Sequence, residues 1–263
     1  MQPYTEDFYK FIDDTALRSA KEIVPLVMKL VQPKRVVDVG CGLGTWLSVF
    51  QEYGVEDILG IDGDSVDVTR LKIPQQCFLP HDLVKPLKIE QHFDLVVSLE
   101  VAEHLPQENA EQFVDTLISL GPAILFSAAV PYQPGTNHLN GQWSDYWINH
   151  FHQKGYVVFD FLRKKIWHNE QVDWWYSQNI FLFLKESCLE KYPLLKQELD
   201  EGTMTPLSLI HPKLYLLQQA AYQALQESFD PNNMSIRRAS SLFGLVLINF
   251  LKKRINTTFL KNG

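Results

Sequence analysis

The chain has 263 residues and a net charge of −7, with 24 Lys and Arg against 31 Asp and Glu. That excess of acid argues against a general nucleic-acid binder, whose phosphate contacts need clustered Lys and Arg. An apolar fraction of 46% suffices for a sizeable core, and no apolar run is long enough to span a bilayer.

Residues 5–30 carry apolar side chains at roughly three-to-four spacing and read as helical. Pro25 is expected to kink or divide that helix, and Pro33 to end it. The aromatics Tyr4, Phe8 and Tyr9 read as core packing rather than as a lid. The acidic start, Met1 to Asp7, lacks the basic-then-apolar pattern of a secretory leader. Cys41, Cys77 and Cys188 show neither metal nor disulfide spacing, so a cytoplasmic protein is expected.

The first strand is the β-branched run at Val36 to Val39, and it stops at Gly40-Cys41-Gly42-Leu43-Gly44. A helix follows over residues 43–53. Glycines serve here where the backbone turns sharply and a ligand comes close. A nicotinamide dinucleotide site would want G-x-G-x-x-G, but the glycines fall at 40, 42 and 44 and Thr stands at 45. A pyrophosphate would also be repelled by Asp38, which precedes the first glycine. A positively charged ligand without phosphate tolerates that acid.

The stretch resembles motif I of the class I S-adenosylmethionine-dependent methyltransferases. The resemblance implies S-adenosyl-L-methionine as cofactor, with Asp38, Gly40, Gly42 and Gly44 in its site. It extends over about residues 30–186. A second short strand, 57–62, ends in Asp62, roughly 20 residues past the glycines, where an acid bonds a ribose diol. Asp64 reads as a helix cap. A third strand covers 77–79, and the resemblance makes Asp82 the partner of the adenine amine.

Residues 93–99 read as a buried parallel strand. Glu100-Val101-Ala102-Glu103-His104-Leu105-Pro106 follows, similar to the segment after this strand in many methyltransferases, where Glu100 belongs to the cofactor pocket. A helix over 108–120 and a strand over 122–129 come next. The alternation predicts a Rossmann-like, doubly wound α/β fold: a seven-stranded, mostly parallel sheet with helices on both faces. The last two strands are expected at 155–161 and 178–184, the final one antiparallel as the resemblance implies. Between the fifth and sixth strands come a long polar loop over 130–147 and a helix over 145–153 capped by Ser144.

Two domains are expected: a methyltransferase domain over 1–187 and a helical extension over 188–263. Leu214, Leu217, Ala221 and Leu225 form one helical stripe of the extension. From Asn232 on there is no acid, while Arg237, Arg238, Lys252, Lys253, Arg254 and Lys261 make the tail basic around an apolar run at 242–251. That tail is expected to pack as a helix on the domain or on a twin subunit, with peripheral contact to an anionic membrane as the other reading.

His138 and His104 are the candidate general bases, being titratable near neutrality. Trp143, Trp147, Trp174 and Trp175 are candidate substrate contacts, since flat faces beside polar groups suit sugars and aromatic rings. Glu100, Glu103 and His104 stand at i, i+3 and i+4, a spacing that shares one helical face. With His138 they form a candidate site for Mg²⁺, Mn²⁺ or Fe²⁺. The segment resembles that of plant-type small-RNA 2′-O-methyltransferases, in which a like-spaced Glu-x-x-Glu-His and a later His hold a metal. The expected activity is O-methylation of a small molecule, a glycan or a secondary-metabolite intermediate. RNA 2′-O-methylation and a catalytically silent cofactor-binding subunit are the alternatives.

Overall fold

A computed structural model describes residues 6–200, 208–229 and 235–259, with side chains for most of those between Asp14 and Phe250. Tyr4, Phe8 and Tyr9 therefore lie outside the described side chains, as do Lys252, Lys253, Arg254 and Lys261 of the basic tail. The chain forms two compact units, Met1–His211 and Pro212–Gly263. Residues 188–200 and 208–211 thus go with the sheet unit, not with the extension expected from 188 onward.

The sheet unit opens with α1 (Glu6–Val31), which runs unbroken through Pro25. Ile23, Val24 and Val27 are fully buried and hold that turn in place. The strands are β1 (Arg35–Val39), β2 (Asp57–Asp62), β3 (Phe78–Pro80), β4 (Leu95–Leu99), β5 (Ala123–Ser127), β6 (Tyr156–Phe159) and β7 (Phe181–Lys185). Their spatial order is β3-β2-β1-β4-β5-β7-β6, and β7 runs antiparallel to both neighbours. The central strands β4 and β5 are buried along their whole length, as sheets covered on both faces require.

Between them lie α2 (Thr45–Glu52), α3 (Ala110–Leu120), α4 (Ser144–Gln153), α5 (Phe161–Ile166), α6 (Trp174–Asn179) and α7 (Pro193–Asp200). One apolar cluster joins α1, α2, α5 and α6 to one face of the sheet. The other joins α3 and α4 to the opposite face. The strand order reverses direction between β1 and β4, so the carboxyl ends of those strands open a crevice at the switch point.

Several local expectations are corrected. Ser144 is the first residue of α4 itself, and Trp143 stands at the cap position. Asp67, not Asp64, caps the short turn after β2, accepting from Thr69 N at 3.0 Å. Gln178 and Asn179 end α6 instead of starting the last strand.

The second unit contains α8 (Pro212–Phe229) and α9 (Ile236–Phe259). Of the predicted stripe on α8, Leu214 is buried while Leu217 and Leu225 are exposed. Among the described residues, no helix is long and apolar enough to cross a membrane.

Candidate active site

A cavity of about 600 Å³ opens at the carboxyl ends of β1, β2 and β4. Its floor is the glycine turn after β1. Gly40 and Gly44 adopt left-handed φ values of 87° and 78°, which L side chains rarely reach. Gly40 N donates to Ile61 O at 2.7 Å, so the turn is tied to β2. Asp62, at the end of β2, accepts from Gly42 N at 2.7 Å and from Gly63 N at 2.6 Å. Burial pushes the Asp62 carboxyl up, and the two amides pull it back in part. Asp38 is buried at 2% exposure and does not line the cavity; desolvation, then the charge of Asp62, raises its carboxyl well above the usual range.

A side chain at position 40 has no room. A Cβ there would stand 2.3 Å from a Val101 methyl carbon, and the backbone would be strained as well. Gly40→Ala is expected to lower stability by about 1–3 kcal/mol. It should also abolish saturable cofactor binding in calorimetry. A variant that melts and binds like the parent would show that the turn does not shape the site.

Beyond β4 the backbone changes hand. Glu100 has a left-handed φ of 56°, and so do Tyr132 and Asn137 in the loop after β5. Non-glycine residues in that region store strain and cluster at functional sites. The left-handed Glu100 and the short 3₁₀ turn Ala102–His104 replace the regular helical turn expected after β4. Leu139 N and Asn140 N both donate to Glu103 O, at 2.8 and 2.9 Å, and so dock the loop after β5 against this turn. Gly135 allows the His138 ring to pack on the backbone, since a Cβ there would lie 2.0 Å from its Nε2.

Three predicted ligands are thereby brought together. Glu103, His104 and His138 each offer a ligand atom within 4.8 Å of the others. The imidazoles meet edge to face at 5.0 Å. Desolvation lowers both histidine pKa values, and His104 lowers that of His138 further, which favours the neutral rings, although His104 is exposed. Glu103 is fully buried, and neither carboxylate oxygen has a hydrogen-bond partner of normal geometry. Desolvation, then the charge of Glu100, raises its pKa well above the usual range; the nearby amides of Glu103 and Ala129 offset little of this. His138 Nδ1 is likewise buried without a partner.

Glu100 lies outside that cluster. Its oxygens accept from Gln133 Nε2 at 2.7 Å and from Asn179 Nδ2 at 3.0 Å. Desolvation raises its pKa, while Asn179, Ser127 and Gln133 counter it.

The other predicted residues separate. Asp82 is exposed and serves its own turn, accepting from Val84 N at 3.2 Å and pairing with Lys85 at 3.2 Å. It does share a smaller hollow with Asp62 and Gly63. Trp147 is a core residue, its ring 5.4 Å from that of Phe126. Trp143 is exposed, and neither it nor Trp174 lines the cavity. Trp175 does line it, together with Trp46 and Tyr176, whose rings meet at 5.2 Å. Sequence reasoning missed Trp46, Gln133, Gln178 and Asn179. Trp46 had a signal, since it opens the helix after the glycine turn.

A family model described as a methyltransferase domain matches residues 12–180, more than half of the chain. The chain belongs to the class I S-adenosylmethionine-dependent methyltransferases. Among solved structures, Streptomyces venezuelae DesVI is similar with a TM-score of 0.52 and 15% identity, over 67% of this chain and 94% of that one. Magnesium protoporphyrin IX methyltransferase (ChlM) from Synechocystis, crystallised with bound SAH, gives 0.49 and 18%, over 66% and 85%. The methyltransferase domain of bacterial CtHen1 gives 0.47 and 19%, over 64% and 98%. At such identities these are likenesses of fold. No curated protein matches the sequence.

Proposed function

We propose that this methyltransferase acts on a hydroxyl of an acceptor that enters the cavity beside Glu103, His104 and His138, and that these side chains hold a divalent cation there. The acceptor class is a small molecule or glycan that offers a diol or phenol.

The observation that carries the reading is Glu103. A buried carboxylate with both oxygens unpartnered is costly unless it is protonated or meets a cation. Two neutral imidazoles within 4.8 Å complete a set of hard and borderline donors that suits Mg²⁺, Mn²⁺ or Fe²⁺. A bound ion of this kind lowers the pKa of an acceptor hydroxyl. Glu103 and the two histidines would fix where the hydroxyl sits, and the docking of Leu139 and Asn140 on Glu103 O keeps His138 in register.

The residues of the glycine turn fit the cofactor. S-Adenosylmethionine supplies the methyl group and a neutral thioether leaving group. Gly40, Gly42 and Gly44 let the backbone approach it, Asp62 offers the acceptor for a ribose diol, and Asp82 stands in the adjoining hollow toward the adenine. The acids Asp62, Glu100 and Glu103 on the cavity wall favour a cationic cofactor over a pyrophosphate.

The test is Mn²⁺ titration followed by electron paramagnetic resonance, beside transfer of label from tritiated cofactor to catechol, sugar-diol and RNA-oligomer acceptors. Tight Mn²⁺ binding is expected, strengthening as pH rises, because the proton on Glu103 competes with the ion and its pKa is raised. Chelator should abolish transfer, and Mn²⁺ or Mg²⁺ should restore it. Full activity in chelator would assign the histidines to general-base work instead. Transfer to the RNA alone would replace the small-molecule or glycan acceptor.

A further inference from the structure

Glu100 is a buried carboxylate on the cavity wall, held by neutral groups. Among the described residues, no Lys or Arg pairs with it. Beside the Ser127 hydroxyl, its donors are the side-chain amides of Gln133, from the loop after β5, and of Asn179, at the end of α6.

Both amides are oriented from behind. Gln133 Oε1 accepts from Asn179 Nδ2 at 2.9 Å and from Gln178 Nε2 at 3.3 Å. Asn179 Oδ1 accepts from Gln178 Nε2 at 2.9 Å. With each oxygen engaged there, each NH₂ group is turned toward Glu100. Gln178 is fixed in turn: its Oε1 accepts from His211 N at 2.8 Å, and its carbonyl accepts from Arg163 at 3.0 Å. Arg163 forms a buried ion pair with Asp160. Gln133, Gln178 and Asn179 are all buried.

The choice of amides has a consequence for charge. A Lys or Arg would hold the carboxylate but cancel its field. Amides hold it through hydrogen bonds to the anion and leave its charge in place. A network of this kind, with every member paired, is rigid.

We propose that Gln133 and Asn179, oriented by Gln178, are positioning residues that keep Glu100 a fixed, uncancelled negative charge facing the cationic part of the cofactor, either the sulfonium or the α-ammonium. This rests on the S-adenosylmethionine reading of the cavity. The amides then set the preference for ligands that carry that positive group, beyond holding the fold together.

Calorimetry on Gln133→Ala and Asn179→Ala, with Glu100→Gln as reference, tests this against S-adenosylmethionine, S-adenosylhomocysteine and methylthioadenosine. The cofactor is expected to lose affinity by about tenfold or more, as for a lost hydrogen bond to a charged group. At least one contrast among the ligands should collapse in all three variants. Collapse of the cofactor-to-homocysteine contrast assigns the charge to the sulfonium. Collapse of the homocysteine-to-methylthioadenosine contrast assigns it to the ammonium. Equal loss for all three ligands would make the amides structural and overturn the proposal. So would unchanged contrasts with weakened Mn²⁺ binding, which would turn Glu100 toward the cation cluster. Gln133 lies in a loop, so its truncation decides the matter even if Asn179→Ala does not fold. Parent protein that binds no S-adenosylmethionine would defeat the cofactor reading itself. Parent binding with intact contrasts in the variants would defeat the clamp alone.

Discussion

Glu103→Gln is expected to abolish cation binding and methyl transfer, and at the same time to make the cation-free protein more stable. The two effects share one cause. Glu103 is buried with both oxygens unpartnered, so its ionised form is penalised in the folded chain and its pKa lies well above the usual value. A carboxyl whose folded pKa is raised binds its proton more tightly in the folded state than in the unfolded one. Its contribution to stability is therefore largest at low pH and declines as pH rises from the unfolded value toward the raised one. Gln is neutral at every pH and keeps the shape, so it removes that decline. Stabilisation of about 1–3 kcal/mol at neutral pH is expected, because a neutral amide is buried at less cost than a carboxylate that must ionise. In a domain of this size that is a rise of very roughly 2–10 °C in melting temperature. The gain should vanish in acid, where Glu103 is itself protonated. Added Mn²⁺ should stabilise the parent chain and leave Glu103→Gln unmoved, since only a state that binds the ion gains from it. Cofactor affinity should be close to that of the parent. A destabilised variant at neutral pH, or one that still responds to Mn²⁺, would remove Glu103 from the cation site.

The parts of the site that were legible in the sequence are those whose chemistry leaves a mark on residue type. The glycine turn was readable because left-handed backbone at Gly40 and Gly44 all but demands glycine. Asp62 was readable because parallel strands end at a common edge, which fixes its distance along the chain from the turn. All seven strands were expected, the central ones because parallel strands covered on both faces are apolar runs. The i, i+3, i+4 spacing brought Glu103 and His104 together but misplaced Glu100. The left-handed turn at Glu100 swings that carboxylate out of helical register, and nothing in its residue type announces such a turn. Gln133, Gln178 and Asn179 were missed for a different reason. Neutral amides carry neither charge nor periodicity, and Gln178 and Asn179 precede an apolar run that draws them into a predicted strand. Trp147 failed in the opposite direction. An aromatic beside polar residues looks the same in sequence whether it faces a ligand or packs on Phe126.

Asp62→Ala is expected to weaken S-adenosylmethionine and S-adenosylhomocysteine by the same factor, which separates it from any variant that acts on the positive sulfur. The ribose is common to both ligands, while the positive sulfur is not. In the parent, Asp62 accepts from Gly42 N at 2.7 Å and from Gly63 N at 2.6 Å while it lines the cavity. Its loss therefore removes an acceptor for the ligand and a pin on the glycine turn together. Each hydrogen bond to a charged group is worth about 1.5–3 kcal/mol, so a fall in affinity of roughly 10- to 100-fold is expected for both ligands. Stability should move far less. The freed amides of Gly42 and Gly63 destabilise the turn, but removal of the Asp62 charge relieves Asp38, whose carboxyl is raised partly by that charge. A melting temperature within about 4 °C of the parent is expected, from a net change near 1 kcal/mol. Asp62→Asn should fall between parent and Ala, since it keeps one acceptor oxygen for the two backbone donors. The measurement is calorimetry with both ligands beside thermal melts in their absence. Unchanged affinity would take Asp62 out of the cofactor site. Preferential loss of the charged ligand would show that Asp62, rather than Glu100, faces the positive sulfur.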